Sequence, residues 1–171
     1  MRLTAFLKRG PVPLGLVILF LTHPASAFLD TKESRTSLKG IESLHVMVGS
    51  LPAEAEKAGL TRNQVQTDVE LRLRKAGVRV DTSDSGVVLL YVNVAVQTNQ
   101  NLPRLFAVAV SLLLVQPAYL ERNFDYAVAT TWQKGTFGFV GENIFRNTVR
   151  ETVGDLVDAF INAYLEENPK Q

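Results

Sequence analysis

The sequence predicts an α+β fold in which two helices pack on one face of a mostly antiparallel sheet. Three runs rich in β-branched and aromatic residues follow one another at residues 87–97, 105–116 and 124–133, and such runs are typical of strands. Stretches with apolar residues at helical spacing precede and follow them. Cysteine is absent, which excludes a disulfide scaffold, so folding depends on a hydrophobic core.

The first 27 residues have the pattern of a cleaved secretory signal peptide. A basic segment precedes an apolar run at residues 14–21, which is shorter than the roughly 20 residues that cross a bilayer. The small residues at positions 25–27 fit signal peptidase. We therefore expect a periplasmic protein that begins at Phe28 and has no transmembrane segment after cleavage.

The charge of the mature chain argues against binding to nucleic acid. Without the three basic residues of the signal peptide, 15 of the 18 basic residues remain beside 17 acidic ones, a formal charge of −2. Proteins that bind nucleic acid usually gather Lys and Arg on one face, and the sequence shows no such run. We expect a polar, flexible lead-in at residues 28–40 and one domain at residues 41–171.

The elements follow in the order β-α-β-β-β(-β)-α. A strand at residues 44–48 precedes a helix that begins at Thr61, where Gln64 completes a capping box, and ends before Gly77. A short strand at residues 78–80 either stands alone or continues into the first long strand after a turn at residues 81–86. The last helix is predicted at residues 142–167, because apolar residues recur there at helical spacing. A two-layer sandwich accommodates this order.

The element order, the signal peptide and the helix-to-strand passage at residues 71–78 (LRLRKAGV) resemble small exported envelope-assembly accessory domains of the LptE and TolB amino-terminal type. The resemblance covers most of the mature chain at the level of the fold. It implies an accessory role in the cell envelope. LptE is a lipoprotein, whereas this chain has no cysteine to lipidate, so lipid anchoring and lipopolysaccharide transport are not carried over.

Side chains alternate between the two faces of a strand, and this alternation divides the long strands into two sets. The large set is expected in the core beneath the helices and comprises Val88, Leu90, Val92, Val94, Val96, Phe106, Val108, Val110, Leu112, Leu114, Phe124, Tyr126, Val128 and Trp132. The opposite set is small and uncharged and comprises Asn93, Ala95, Gln97, Ala107, Ala109, Ser111, Ala127, Ala129 and Thr131. Two helices cover one face only, so we expect the small face to be open and to dock against an envelope protein or a second copy.

Residues 132–141 (WQKGTFGFVG) are predicted to form a glycine-rich loop between a strand and the last helix. The glycine spacing matches neither a dinucleotide fingerprint nor a phosphate loop. Two interpretations of Phe137 and Phe139 remain open: the loop presents them to a partner or a membrane surface, or the rings cover the core beside Trp132.

Catalytic chemistry has little support in the sequence. His45 is the only histidine of the mature chain and has no carboxylate at ligand spacing. Asp81 and Asp84 lack the rest of a calcium loop. We therefore predict a non-catalytic binding or accessory domain without a cofactor or metal. A carrier of small molecules or lipids is the alternative, and a small hydrolase is a further one.

Overall fold

Five strands form one sheet in the part of the chain that the computed structural model describes, residues 30–81 and 88–169. They are β1 (Leu44–Val48), β2 (Val80–Asp81), β3 (Leu89–Asn99), β4 (Leu102–Leu120) and β5 (Asp125–Gly141). Their order across the sheet is β2-β1-β3-β4-β5. β1 is parallel to both of its neighbours, whereas the longer strands β3, β4 and β5 are antiparallel. The predicted α+β fold is confirmed.

The helices are α1 (Lys32–Arg35), a 3-10 helix (Thr36–Leu38), α2 (Ala53–Lys57), α3 (Arg62–Lys75) and α4 (Phe145–Glu167). α3 begins where the capping pattern predicts, because the Thr61 side chain accepts a hydrogen bond of 3.3 Å from the backbone N–H of Gln64. Past its end, Gly77 has a φ of 84°, a left-handed conformation that glycine adopts without strain. α4 begins three residues later than expected and ends where predicted.

The core lies between the sheet and the inward faces of α3 and α4. Val65, Val69 and Leu73 of α3 are buried, as are the residues of α4 that form its apolar stripe. The alternate residues of β4 from Phe106 to Leu114 are buried beneath them. The rings of Trp132 and Phe160 meet edge to face with centroids 5.3 Å apart, which joins β5 to α4. Burial of each large side chain stabilises the fold by roughly 1.5 to 3 kcal/mol.

Part of the predicted flexible lead-in is instead built into the domain. Leu38 of the 3-10 helix is fully buried. The Asp30 carboxylate accepts hydrogen bonds from Arg35 Nε at 2.8 Å, Lys134 Nζ at 2.8 Å and Trp132 Nε1 at 3.1 Å. These contacts attach residues 30–38 to β5. The composition of residues 28–40 does not show that distant residues bind this segment. A polar segment that is held in place can therefore be predicted to be flexible.

β5 continues through the glycine-rich segment, so the predicted loop at residues 132–141 is wrong. Gly135 pairs with Ser111, and Gly138 pairs with Val108. A Cβ atom at Gly135 would lie 3.0 Å from the backbone oxygen of Val110 and 3.1 Å from Cβ of Ser111. Glycine therefore permits a close approach of the two strands here and does not end the strand.

A β-bulge corrects the predicted division of β5 into faces. Leu114 pairs with Trp132 and Val115 with Thr130, which leaves Thr131 as an extra residue. Because side chains alternate between the two faces, one extra residue moves every earlier residue of β5 to the opposite face from the one predicted. Tyr126 and Val128, predicted in the core, are exposed, as is Phe124 in the turn before β5. Ala127 and Ala129, predicted on the small face, instead alternate toward the helix side.

The predicted signal peptide at residues 1–27, the cleavage position before Phe28 and the turn residues 82–86 lie outside the described residues. Within the described ranges, no helix combines the length and the apolar character that crossing a membrane requires.

Candidate functional site

The candidate site is the side of the sheet that faces away from α3 and α4, which we call the outer face. The strand register places the following residues on it: His45 and Met47 of β1; Leu89, Tyr91, Asn93, Ala95 and Gln97 of β3; Leu105, Ala107, Ala109, Ser111, Leu113 and Val115 of β4; and Gln133, Gly135, Phe137 and Phe139 of β5. Their neighbours along β1, β3 and β4 point into the core.

The outer face of β1, β3, β4 and β5 carries no Asp, Glu, Lys or Arg. Asp81 of β2 lies at the far edge of the sheet, beside His45. Solvated sheet faces and edges of soluble proteins usually carry charges that prevent association. The outer face lacks them in its central strands, and its residues are exposed or half-buried. Such a surface is typical of an interaction site.

Phe137 and Phe139 form the most prominent apolar feature at one corner of the outer face. Phe137 lies opposite Ala109 and Phe139 opposite Ala107 in the β4–β5 pairing. The two rings meet edge to face with centroids 5.4 Å apart and are 48% and 46% exposed. The structure therefore presents both rings from a strand beside a shallow floor of alanines, and neither ring covers the core next to Trp132.

Beyond the bulge, β4 and β5 extend past β3 as a two-stranded hairpin, residues 116–130, which we call the hairpin arm. Its outward residues continue the outer face: Pro117, Tyr119, Tyr126, Val128 and Thr130. Tyr119 and Tyr126 are paired, with ring centroids 5.3 Å apart. Phe124 in the turn is 78% exposed and has a φ of 56°, a left-handed conformation that is unfavourable for a bulky side chain.

Nine small residues were predicted to form a docking face, and six of them lie together on the outer face. Asn93, Ala95 and Gln97 are on β3, and their partners on β4 are Ser111, Ala109 and Ala107 in that order. The remaining three are not part of this group. Ala127 and Ala129 lie on the helix side of the hairpin arm, and Thr131 lies in the bulge, where its hydroxyl accepts a 2.9 Å hydrogen bond from Gln116 Nε2.

The sequence prediction missed the hairpin arm and the larger residues of the outer face. Met47, Tyr91, Leu113 and Val115 alternate outward by the same period of two that identified the alanines, so this signal was available. The side chain of Tyr91 lies across the end of β1. A Cβ atom added at Gly49 would contact the Tyr91 hydroxyl, so glycine leaves room for this ring. The outer face thus combines a small-residue region with a region of large apolar side chains.

The other candidate groups show no catalytic arrangement among the described residues. His45 is half-buried, and its Nδ1 lies 3.2 Å from the backbone oxygen of Asp81. A groove of about 750 Å³ runs between α3 and α4. Ion pairs between the helices line it: Arg150 Nε lies 2.7 Å from Asp68, and Arg72 lies 2.7 Å from Asp158. These pairs join α3 to α4 on the side opposite the outer face.

Comparison with solved structures finds several distant structural neighbours. No family model matches the sequence, and no curated protein matches it. PelC from Paraburkholderia phytofirmans, solved as a dodecamer, is 13% identical over 69% of this chain and 84% of its own, with a TM-score of 0.39. A minor lipoprotein from Acinetobacter baumannii is 12% identical over 76% of this chain and 95% of its own, with a TM-score of 0.41. At these scores we draw no functional argument from either, and the resemblance to LptE and TolB stays a prediction.

Proposed function

We propose that this chain is a non-catalytic, exported accessory domain that acts in the cell envelope by docking its outer face against a protein partner. The observation that carries the proposal is the charge-free outer face, which spans four strands and continues along the hairpin arm. The signal-peptide pattern supports a periplasmic location after cleavage behind Ala27.

The outer face has the anatomy of a protein interface. Interface centres are poor in charged residues and rich in aromatic residues. On β5 and in the turn of the hairpin arm, charged side chains lie off the outer face. Lys134 is on the helix side against Asp30, and Glu121 and Arg122 are in the turn. Phe137, Phe139 and the tyrosines of the arm supply exposed rings of the kind that anchor partners.

Site-specific photo-crosslinking tests this function in the full-length protein, expressed in its own host. A photoreactive residue replaces Ala109 or Phe139 on the outer face, and Asn162 serves as the control because it is exposed on α4 on the opposite side. We expect discrete protein adducts from the first two positions and none from Asn162. An adduct pattern that is the same at all three positions, or no adduct at Ala109 and Phe139, would overturn the proposal.

A second measurement addresses the location. Cell fractionation and amino-terminal sequencing of the purified protein should find it in the periplasm with Phe28 as its first residue. Recovery from the cytoplasm with residues 1–27 intact would contradict the exported state.

A further inference from the structure

Along β4, the outward side chains change from small to large near Leu113. Ala107, Ala109 and Ser111 lie on one side of Leu113, and Val115, Pro117 and Tyr119 lie on the other. The change in side-chain size is therefore centred on Leu113. This residue belongs to β4, which lies between β3 and β5 in the antiparallel part of the sheet.

β3 shows the same division, because Asn93 and Ala95 lie at its small end while Leu89 and Tyr91 lie toward the large end. On β5 the division is absent. Phe137 and Phe139 pair with Ala109 and Ala107 on the small side, and Val128 and Tyr126 pair with Pro117 and Tyr119 on the large side. The recess of the outer face is therefore limited to β3 and β4, and β5 carries large side chains on both sides of Leu113.

We propose that a second copy of this chain covers the outer face, so that the large outward residues of β4 in each copy pack on the small outward residues of β4 in the other. This inference rests on the proposed function and names its partner. A twofold axis that passes over Leu113, parallel to the sheet and perpendicular to the strands, reverses the strand direction. It places Leu113 against Leu113 of the second copy, Ala109 against its Pro117, and Ala107 against its Tyr119. On β5 the same axis places the rings of Phe137 and Phe139 against Val128 and Tyr126 of the second copy.

The outer face is large enough for a stable dimer. About eighteen outward residues overlap with the second copy under this axis, and each covers roughly 33 Å² of sheet, which gives about 600 Å² per copy, because strands lie about 4.8 Å apart and a face repeats every two residues. Specific protein interfaces bury from about 600 Å² per partner upward. The hairpin arm is necessary for this area, because it supplies the large residues that extend beyond β3.

Self-complementarity favours a second copy over an unrelated partner. In a twofold interface, the contact of residue i with residue j is repeated as j with i, so one surface must offer both knob and recess. On the outer face, β4 does so across Leu113. The outer face also lacks the single-sign charge that would select an oppositely charged protein, and two uncharged faces meet without an unpaired buried charge.

Cysteine cross-linking tests the arrangement with little background, because the natural chain contains no cysteine. A short bis-maleimide should link Leu113→Cys into a dimer, since a residue on the axis faces itself across two sheets that pack about 10 Å apart. Leu105→Cys is the matched control, being the same substitution on the outer face of the same strand but far from the proposed axis. A mixture of Ala107→Cys and Tyr119→Cys should give mostly the mixed dimer.

Sedimentation of the mature protein supplies an independent measurement that does not depend on cysteine. We expect a concentration-dependent dimer that Ala109→Glu converts to a monomer, while Ala53→Glu on the exposed side of α2 leaves it unchanged. Circular dichroism of both variants confirms that they are folded. If Leu105→Cys cross-links as readily as Leu113→Cys, or if the natural protein remains monomeric at its solubility limit, the proposed dimer is wrong.

The outcomes separate this inference from the proposed function. A monomeric protein whose Ala109 position photo-crosslinks to another envelope protein would overturn the dimer and leave the docking function in place. Loss of both the dimer and every adduct from the outer face would overturn both.

Discussion

Phe137 lies directly opposite Ala109 on the outer face, in the pairing of β4 with β5. The ring is 48% exposed beside a residue that offers it only a methyl group. By contrast, Phe160 is fully buried against Trp132 on the other side of the sheet. The two phenylalanines therefore have different roles, since one contributes to the core and the other to a surface.

The first prediction compares these two kinds of phenylalanine. Phe160→Ala should lower the free energy of unfolding by about 3 to 5 kcal/mol, because it leaves a cavity next to Trp132. Phe139→Ala removes the same atoms from an exposed site and should cost less than about 1 kcal/mol. Denaturant unfolding followed by the fluorescence of Trp132, the chain's single tryptophan, measures both. Equal losses would show that Phe139 is part of the core.

The second prediction concerns the Asp30 cluster and pH. Burial raises the pKa of Asp30, but hydrogen bonds from Arg35, Lys134 and Trp132 outweigh it and lower the pKa from 3.8 to about 2. A depressed carboxyl pKa contributes stability above the unfolded-state value, and this stability is lost as the pH falls through about 2.

Asp30→Asn should therefore destabilise the mature protein by about 2 kcal/mol at pH 7, and its difference from the natural protein should shrink toward zero near pH 2. Asp155→Asn, at an exposed position on α4, is the control and should change little at either pH. Unfolding curves across this pH range measure the effect. A constant difference for Asp30→Asn at every pH would contradict the role given to its carboxylate.

The third prediction concerns Gly154, a buried glycine within α4. A Cβ there would lie 2.6 Å from a terminal nitrogen of Arg72, whose guanidinium also pairs with Asp158 at 2.7 Å. Alanine favours a helix over glycine by about 1 kcal/mol, but in the natural protein Arg72 must move to admit the methyl group.

Gly154→Ala should thus stabilise an Arg72→Ala protein by about 1 kcal/mol and stabilise the natural protein by less. A double-mutant cycle of unfolding free energies measures this coupling. Additive effects of the two substitutions would mean that Arg72 does not restrict position 154.

The fourth prediction concerns the strained tip of the hairpin arm. A left-handed conformation costs a non-glycine residue roughly 1 kcal/mol or more, whereas asparagine tolerates it better. Phe124→Asn should therefore stabilise the isolated protein by about 0.5 to 1 kcal/mol, because the exposed ring loses no packing. Tyr126→Asn, at a neighbouring exposed position without this strain, should give no gain. A less stable Phe124→Asn protein would show that the ring packs within the chain.

Most of the secondary structure could be predicted from the sequence. The face of a helix or strand that packs on the core must be apolar, so apolar residues recur along the chain with the period of that element. The spacing of Val65, Val69 and Leu73 identified the inward face of α3, and the alternation from Phe106 to Leu114 identified that of β4. The small residues of β3 and β4 were assigned to the correct face for the same reason.

The bulge at Thr131 and the extension of β5 could not be predicted in this way. A bulge depends on how two strands pair, and the residues around Thr131 continue to look like an uninterrupted strand. Glycine usually weakens a strand, so residues 132–141 suggested a loop until their close pairing with β4 was known. Two of the three partners of Asp30, Trp132 and Lys134, lie about a hundred residues away in the sequence, beyond the reach of any local pattern.

The most direct test of the central claim is the accessibility of the outer face in living cells. The cysteine-free chain allows a single cysteine at Ala109 or, as the control, at Asn162. We expect N-ethylmaleimide to label Asn162→Cys readily in intact cells, whereas Ala109→Cys reacts at least several-fold more slowly there and at a normal rate once the protein is unfolded. Equal labelling of the two cysteines in cells would show that the outer face is uncovered and would contradict the account.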